Sequence, residues 1–280
     1  MSYKNILMLV DNAKSNEACI QAAAALAEAH DAHLTGLCLT GVASTPSYLS
    51  AEIPADFLKL QHERALNRAR EAGSRFERAV AGRPFASEAR VVDCLYTDMA
   101  SVIAVHARYA DLVILGQADP KDQEATDNEV IEEVLLSSGR PVLLVPYIGT
   151  QRKVGQSVTI AWDAGREAAR AVSDAMPMLE RADQVTVLAV NAHSRPGNHG
   201  EEPGADIALH LARHGVKAQV HQTESADIAV SDEILSRLAD EGADLLVMGA
   251  YGHGRLRELI LGGVTRSILQ QMTVPVLMSH

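Results

Sequence analysis

The feature that most constrains this chain is a segment that occurs twice. Ala110-Asp111-Leu112-Val113-Ile114-Leu115-Gly116 returns as Ala243-Asp244-Leu245-Leu246-Val247-Met248-Gly249. Each copy is an acidic residue, an apolar run of strand length and a closing glycine. Other landmarks repeat in step. Ile6 to Asp11 matches Val158 to Asp163, and Pro141-Val142-Leu143-Leu144 matches Pro275-Val276-Leu277-Met278. The offset is 152 between aspartates 11 and 163, and 133 between glycines 116 and 249, so the first copy holds 19 more residues, mainly around 42–82. Two copies fill the 280 residues and a third does not fit, so the chain is a tandem pair and not a solenoid. A short polar linker, Gly149 to Gly155, separates them. The expected domains are 1–148 and 155–280.

Within the first copy, apolar runs alternate with helical patterns. Strands are expected at Ile6–Val10, Leu34–Thr40, Glu88–Val92, Leu112–Gly116 and Pro141–Pro146. Helices are expected at Ala18–Ala29, with Ser15 or Asn16 as its cap, and at Asp56–Val80, Met99–Ala107 and Asp127–Leu136. Strands separated by helices of this length form parallel βαβ units with right-handed crossovers, which defines an α/β fold. Composition agrees: 47% of residues are hydrophobic but only 4% aromatic, so Ala, Val and Leu fill the core.

A formal net charge of −11 argues against nucleic acid or an anionic membrane as a partner. Cys19, Cys38 and Cys94 lie far apart with no CxxC, and read as reduced thiols in a cytoplasmic setting. Neither a signal peptide nor a membrane span is expected.

The second copy of the repeat leads into glycines. After Gly249 come Ala250-Tyr251-Gly252-His253-Gly254, then Arg255 to Leu261, then Gly262-Gly263-Val264-Thr265. Val264, Ile268, Leu269 and Met272 keep helical spacing. A strand, a glycine-rich loop and a bare helix N-terminus suit phosphate, because the first amides of a helix are unpaired and carry partial positive charge. The first copy has no such loop. Gly116 leads into Gln117 to Glu124, and Asp119, Asp122, Glu124, Asp127 and Glu129 put negative charge where phosphate would sit. That acidic run reads as a solvated face or mobile loop, with partner binding as the sharper alternative.

Each half resembles a universal stress protein domain, and the whole chain resembles the tandem bacterial members of that family. Nucleotide-binding members carry Gly, two residues, Gly, nine residues, Gly, then Ser or Thr. Gly249, Gly252 and Gly262 keep this spacing, Gly263 departs from it, and Thr265 keeps the second hydroxyl of the region. The resemblance implies two tandem flavodoxin-like (Rossmann-like) domains, each a five-stranded parallel sheet of order 3-2-1-4-5 with helices on both faces. It implies ATP or AMP, with or without Mg²⁺, at the carboxyl ends of strands one and four of the second half, where open α/β sheets bind ligands. Gly249 and Gly252 would let backbone approach ribose and phosphates. Gly262 and Gly263 would offer amides, and Thr265 a hydroxyl. Asp163 would hold ribose or the adenine edge, and Val190 would present backbone groups to adenine. Tyr251, Gly254 and Val264 complete the expected set.

Other readings of these residues stay open. Asp163 is either a ligand residue or a strand-end turn residue, since Asp11 sits likewise in the first half. His253 is a phosphate contact or an exposed loop residue. His210 and His214, four apart on a helix, read as surface histidines, because zinc needs more converging ligands. Trp162 reads as core. No nucleophile–base pair or metal site is evident, so a stress-response regulator is expected and not a high-turnover enzyme, with slow ATP hydrolysis left open. The rival is a tandem stress protein that binds no nucleotide and acts through an unknown protein partner. A nucleotidyl transferase of the wider adenine-nucleotide group ranks last, because SGGxDS, HIGH and KMSKS are absent. In the family the last strand mediates dimerisation, so the resemblance implies that Val142–Val145 and Val276–Met278 pair edge to edge as an intramolecular pseudo-dimer, with a homodimer as a further option.

Overall fold

The computed structural model describes residues 2–43, 54–149, 153–192, 202–225, 227–252 and 263–280. These form two compact units, Tyr3–Arg140 and Pro141–His280.

The first unit contains β1 (Asn5–Leu9), α1 (Asn16–His30), β2 (His33–Leu39), α2 (Ala55–Val80), β3 (Ser87–Val92), α3 (Met99–Ala107), β4 (Leu112–Gly116) and α4 (Asn128–Ser137). Its strands are parallel and run in the order β3-β2-β1-β4. The apolar runs of β1, β2 and β4 are buried, as strands covered on both faces must be. Small side chains bring the helices close. Helix α1 buries Ala22, Ala23, Ala24 and Ala27 with Cys19, Ile20 and Leu26, and α2 buries Ala65, Ala69, Ala72 and Gly73 before Phe76. A Cβ on Gly36 would stand 2.9 Å from the Phe76 ring, so the glycine in β2 makes room for the one large residue of that face. Phe57 and Leu60, at the start of α2, are exposed instead.

The expected cap of α1 is not formed. The Ser15 side chain makes no capping bond, and buried Asn16 donates its Nδ2 to the Leu9 carbonyl at 3.3 Å. Asn16 therefore ties the helix start to the end of β1.

The second unit contains β5 (Val142–Val145), β6 (Ser157–Ala161), α5 (Arg166–Leu179), β7 (Gln184–Val190), α6 (Ala205–Arg213), β8 (Ala218–Thr223), α7 (Val230–Glu241), β9 (Leu245–Gly249), α8 (Gly263–Gln271) and β10 (Val276–Ser279). The order is β5-β10-β9-β6-β7-β8. The second half's own five strands follow the flavodoxin-like order 3-2-1-4-5, and β1 to β4 follow its first four places. Strand β5, read as the end of the first copy, packs with the second unit. It pairs antiparallel with β10, Leu144 opposite Val276, Leu143 opposite Leu277 and Val142 opposite Met278. This is the edge-to-edge pairing that the family resemblance implied.

The aspartate of the duplicated segment has a structural task. Asp244 accepts from the amides of Gly155 (2.8 Å), Gln156 (3.0 Å) and Ser157 (3.1 Å). Asp111 accepts from the amides of Lys4 (2.7 Å) and Asn5 (3.0 Å). Each carboxylate thus gathers the amides at the start of the strand that opens its copy of the repeat, β1 for Asp111 and β6 for Asp244. Among the described residues, no helix is long and apolar enough to cross a membrane.

Candidate functional site

Parallel strands leave all their carboxyl ends on one edge, and the expected site residues of the second half lie there. Asp163 follows β6, Val190 ends β7, and Gly249 ends β9 and leads to Tyr251 and Gly252. Gly263, Val264 and Thr265 form the first turn of α8. Gly254, Gly262 and His253 lie outside the described residues.

One of the glycines is required by the backbone that packs against it, and a second is closely approached by a side chain. A Cβ on Gly249 would be 2.5 Å from the Ala168 amide nitrogen and 2.6 Å from the Glu167 carbonyl carbon. The first turn of α5 therefore rests on the end of β9. A Cβ on Gly252 would be 3.1 Å from Glu167 Oε2. Around Gly263, by contrast, a Cβ would meet nothing within 4 Å among the described residues. Thr265 is buried and its Oγ1 accepts from the Tyr251 amide at 3.3 Å, joining the loop's start to α8 across the glycines. A hydroxyl that accepts one bond still has its hydrogen to donate. The Ala250 amide donates to the Ser279 carbonyl at 2.8 Å, which fastens the loop to β10.

Backbone strain gathers at this edge. Ala164 (φ 57°), Asn191 (φ 53°) and Tyr251 (φ 56°) are left-handed non-glycine residues, and they follow the ends of β6, β7 and β9. Such conformations cost about 1–3 kcal/mol each and persist where the surroundings impose them, often at ligand sites. Asp163 Oδ1 accepts from the Gly165 amide at 2.9 Å, so it does shape the turn into α5. Trp162, read as core, is half-buried beside it.

Sequence reasoning missed Glu167. It lies in the first turn of α5 and is 4% exposed, with its Oε1 accepting from the Nε of Arg166. Glu17 holds the same second place in α1 but is exposed, so the two first-turn glutamates look alike in sequence and differ only in burial.

The first unit fills the equivalent edge with its own side chains. Asp11 Oδ2 accepts from the Thr126 amide (3.3 Å) and hydroxyl (3.1 Å), and Oδ1 from the Ala13 amide (3.0 Å). Burial pushes the Asp11 carboxyl above its ordinary value, against the pull of these bonds. Asp122 accepts from the amides of Lys14 and Glu124, which hold its carboxyl below the ordinary value. Asp127 caps α4 by accepting from the Val130 amide at 2.9 Å, and also receives the Tyr96 hydroxyl. Two arginines of α2 close the arrangement. Arg75 donates to the Asp11 carbonyl and to Asn12 Oδ1, and Arg68 pairs with Glu124 at 3.0 Å. The acidic run is thus engaged with its own unit; a cavity of about 150 Å³ remains between α2 and the strand ends, and one of about 550 Å³ lies beside it between Gly41–Ala43 and α2. Its fastening by Arg68 and Arg75 was not visible in the sequence.

His210 and His214 are exposed, with ring centroids 4.8 Å apart. Among the described residues, no group of three or more His, Cys, Asp or Glu is placed to hold a metal ion.

Comparison with known proteins agrees with this architecture. The model of the universal stress protein family matches residues 2–146 and again 156–280. The chain belongs to the universal stress protein family, as a tandem of two of its domains. It is similar to a universal stress protein of Synechocystis, 42% identical over 68 residues, which are 24% of this chain and 22% of that one. It is also similar to one of Methanocaldococcus jannaschii, 39% identical over 46 residues, or 16% of this chain and 28% of that one. The matched stretches thus span less than a third of these relatives. A crystal structure of a universal stress protein from Archaeoglobus fulgidus shares the fold, with a TM-score of 0.70 at 17% identity over 98% of this chain and 95% of that one.

Proposed function

We propose that the second half binds an adenine nucleotide, ATP or AMP, and that the protein acts as a stress-response regulator and not as a high-turnover enzyme. The observation that carries this reading is the pairing of glycine spacing with close packing. Gly249 and Gly252 keep the interval expected of a nucleotide loop, and both face the first turn of α5, where backbone leaves no room for a Cβ on Gly249 and the Glu167 carboxylate lies close to Gly252. Left-handed residues at the ends of β6, β7 and β9 support it, because strain gathers there. Asp163 and Val190 stand at the same edge, placed for ribose and base, and Thr265 at the start of α8 for phosphate. The first half, with its edge occupied by Asp11, Glu124 and Asp127, serves as the non-binding member of the pair. We place the domain boundaries at 1–148 and 155–280, with β5 and β10 as the seam of an intramolecular pseudo-dimer.

Calorimetric titration of the full chain with ATP and AMP tests this, together with native mass spectrometry of the purified protein. Binding that Gly252→Val removes, with the fold retained by circular dichroism, supports the reading. No binding at millimolar nucleotide would favour the rival, a tandem stress protein that works through protein contacts.

A further inference from the structure

This inference rests on the nucleotide reading of the second half and concerns which ligand charge that site accepts. The close approach of Gly249 to Ala168 seats the first turn of α5 at the mouth of the glycine loop. It thereby carries a buried carboxylate to the loop: Glu167, with Oε2 3.1 Å from where a Cβ of Gly252 would be. Its cationic partner, Arg166, has an 82% exposed side chain, so solvent screens that charge while Glu167 itself stays inside. Asp163 adds a second carboxylate at the same strand edge. The second residue of α1, Glu17, is exposed, so burial of the carboxylate is particular to the second unit.

An ionised carboxylate accepts hydrogen bonds and donates none. It complements hydroxyl groups such as those of a ribose and repels phosphate oxygens, at a cost that rises with each added phosphate charge. We infer that Glu167 sets the ligand class of the site. It selects a nucleoside or nucleoside monophosphate over a polyphosphate, with its carboxylate accepting from ribose hydroxyls beside Gly252.

The test is calorimetric titration of the full chain with adenosine, AMP, ADP and ATP in buffer free of divalent cations. In the unmodified protein, affinity should fall along the series from AMP to ATP, by about tenfold in all. Glu167→Gln should remove most of that slope by strengthening ATP binding. Arg166→Ala, at an exposed position, should steepen it by leaving the carboxylate without its partner. The unmodified series and Arg166→Ala decide the question even if Glu167→Gln fails to fold. ATP binding as tightly as AMP, or a ratio that neither substitution moves, would overturn the inference and leave the nucleotide reading standing. If no member of the series binds the unmodified protein or Glu167→Gln, the nucleotide reading falls, and this inference with it.

Discussion

Gly249 and Ala168 are in such close contact that an ideal Cβ on the glycine would stand 2.5 Å from the alanine's amide nitrogen. Backbone, not a movable side chain, is the obstacle. The same glycine of the first copy, Gly116, is less confined, because its Cβ would meet only Cys19 Sγ at 3.3 Å. Gly249→Ala should therefore destabilise the protein by about 2–3 kcal/mol, as overpacking against backbone does, and Gly116→Ala by under about 1 kcal/mol. Denaturant unfolding of the two variants checks this. Equal losses would mean that α5 shifts as easily as the Cys19 side chain.

The duplicated aspartates should differ in the same direction. Asp244 is buried and satisfies three backbone amides, whereas Asp111 satisfies two at a more exposed position. Buried donors left without an acceptor cost about 1–3 kcal/mol each, and exposed ones find water. Asp244→Ala should cost roughly 3 kcal/mol and Asp111→Ala roughly 1 kcal/mol. Amide hydrogen exchange at Gly155 to Ser157 should quicken in the first variant, which ties the loss to these bonds.

The fold was legible in the sequence where one physical rule acts alone. Buried parallel strands need unbroken apolar runs, so β4 was read with the ends it has, whereas the pairing of β5 with β10 was expected from the family resemblance. Local rules failed where a tertiary contact overrode them. Ser15 looks like a cap, but Asn16 is drawn to the Leu9 carbonyl instead. Phe57 and Leu60 fit a helical stripe, but α2 buries Ala65, Ala69, Ala72 and Phe76 further along, and its first turns stay exposed. The glycines of the site could be read from spacing. Glu167 could not, because only the close approach of α5 to β9 turns an ordinary first-turn glutamate into a buried charge at the loop.

Asp11 gives the first unit a pH signature. Burial is the largest influence on its carboxyl and raises it above 3.8, while the Ala13 and Thr126 bonds and the Arg75 charge act the other way. The folded chain thus keeps the proton at pH values where the unfolded chain has released it. Through linkage, the stability that Asp11 contributes declines as pH rises from 3.8 through the raised folded value, and then levels. Asp11→Asn does not titrate. The stability of the unmodified protein minus that of the variant should accordingly fall across this window. Urea unfolding of both at a series of pH values measures the difference, and a rise across the window would mean that hydrogen bonds outweigh burial.

Gly263 is where the chain departs from the family's loop pattern, and the space around it bears on whether the departure can be reversed. A Cβ there meets nothing within 4 Å among the described residues, and the residue opens α8, where serine is well tolerated. Gly263→Ser should therefore fold without loss. If α8 begins at a phosphate, the restored hydroxyl adds one hydrogen bond, worth about 1 kcal/mol net, or roughly fivefold in affinity. Gly263 would then be an attenuator of the site, since Thr265 already carries one hydroxyl to the same turn while holding the Tyr251 amide. Titration of AMP into Gly263→Ser and into the unmodified protein compares the two directly. Unchanged affinity in a well-folded variant would show that the phosphate does not reach the first turn of α8, and would move the site toward Asp163, Val190 and the end of β9.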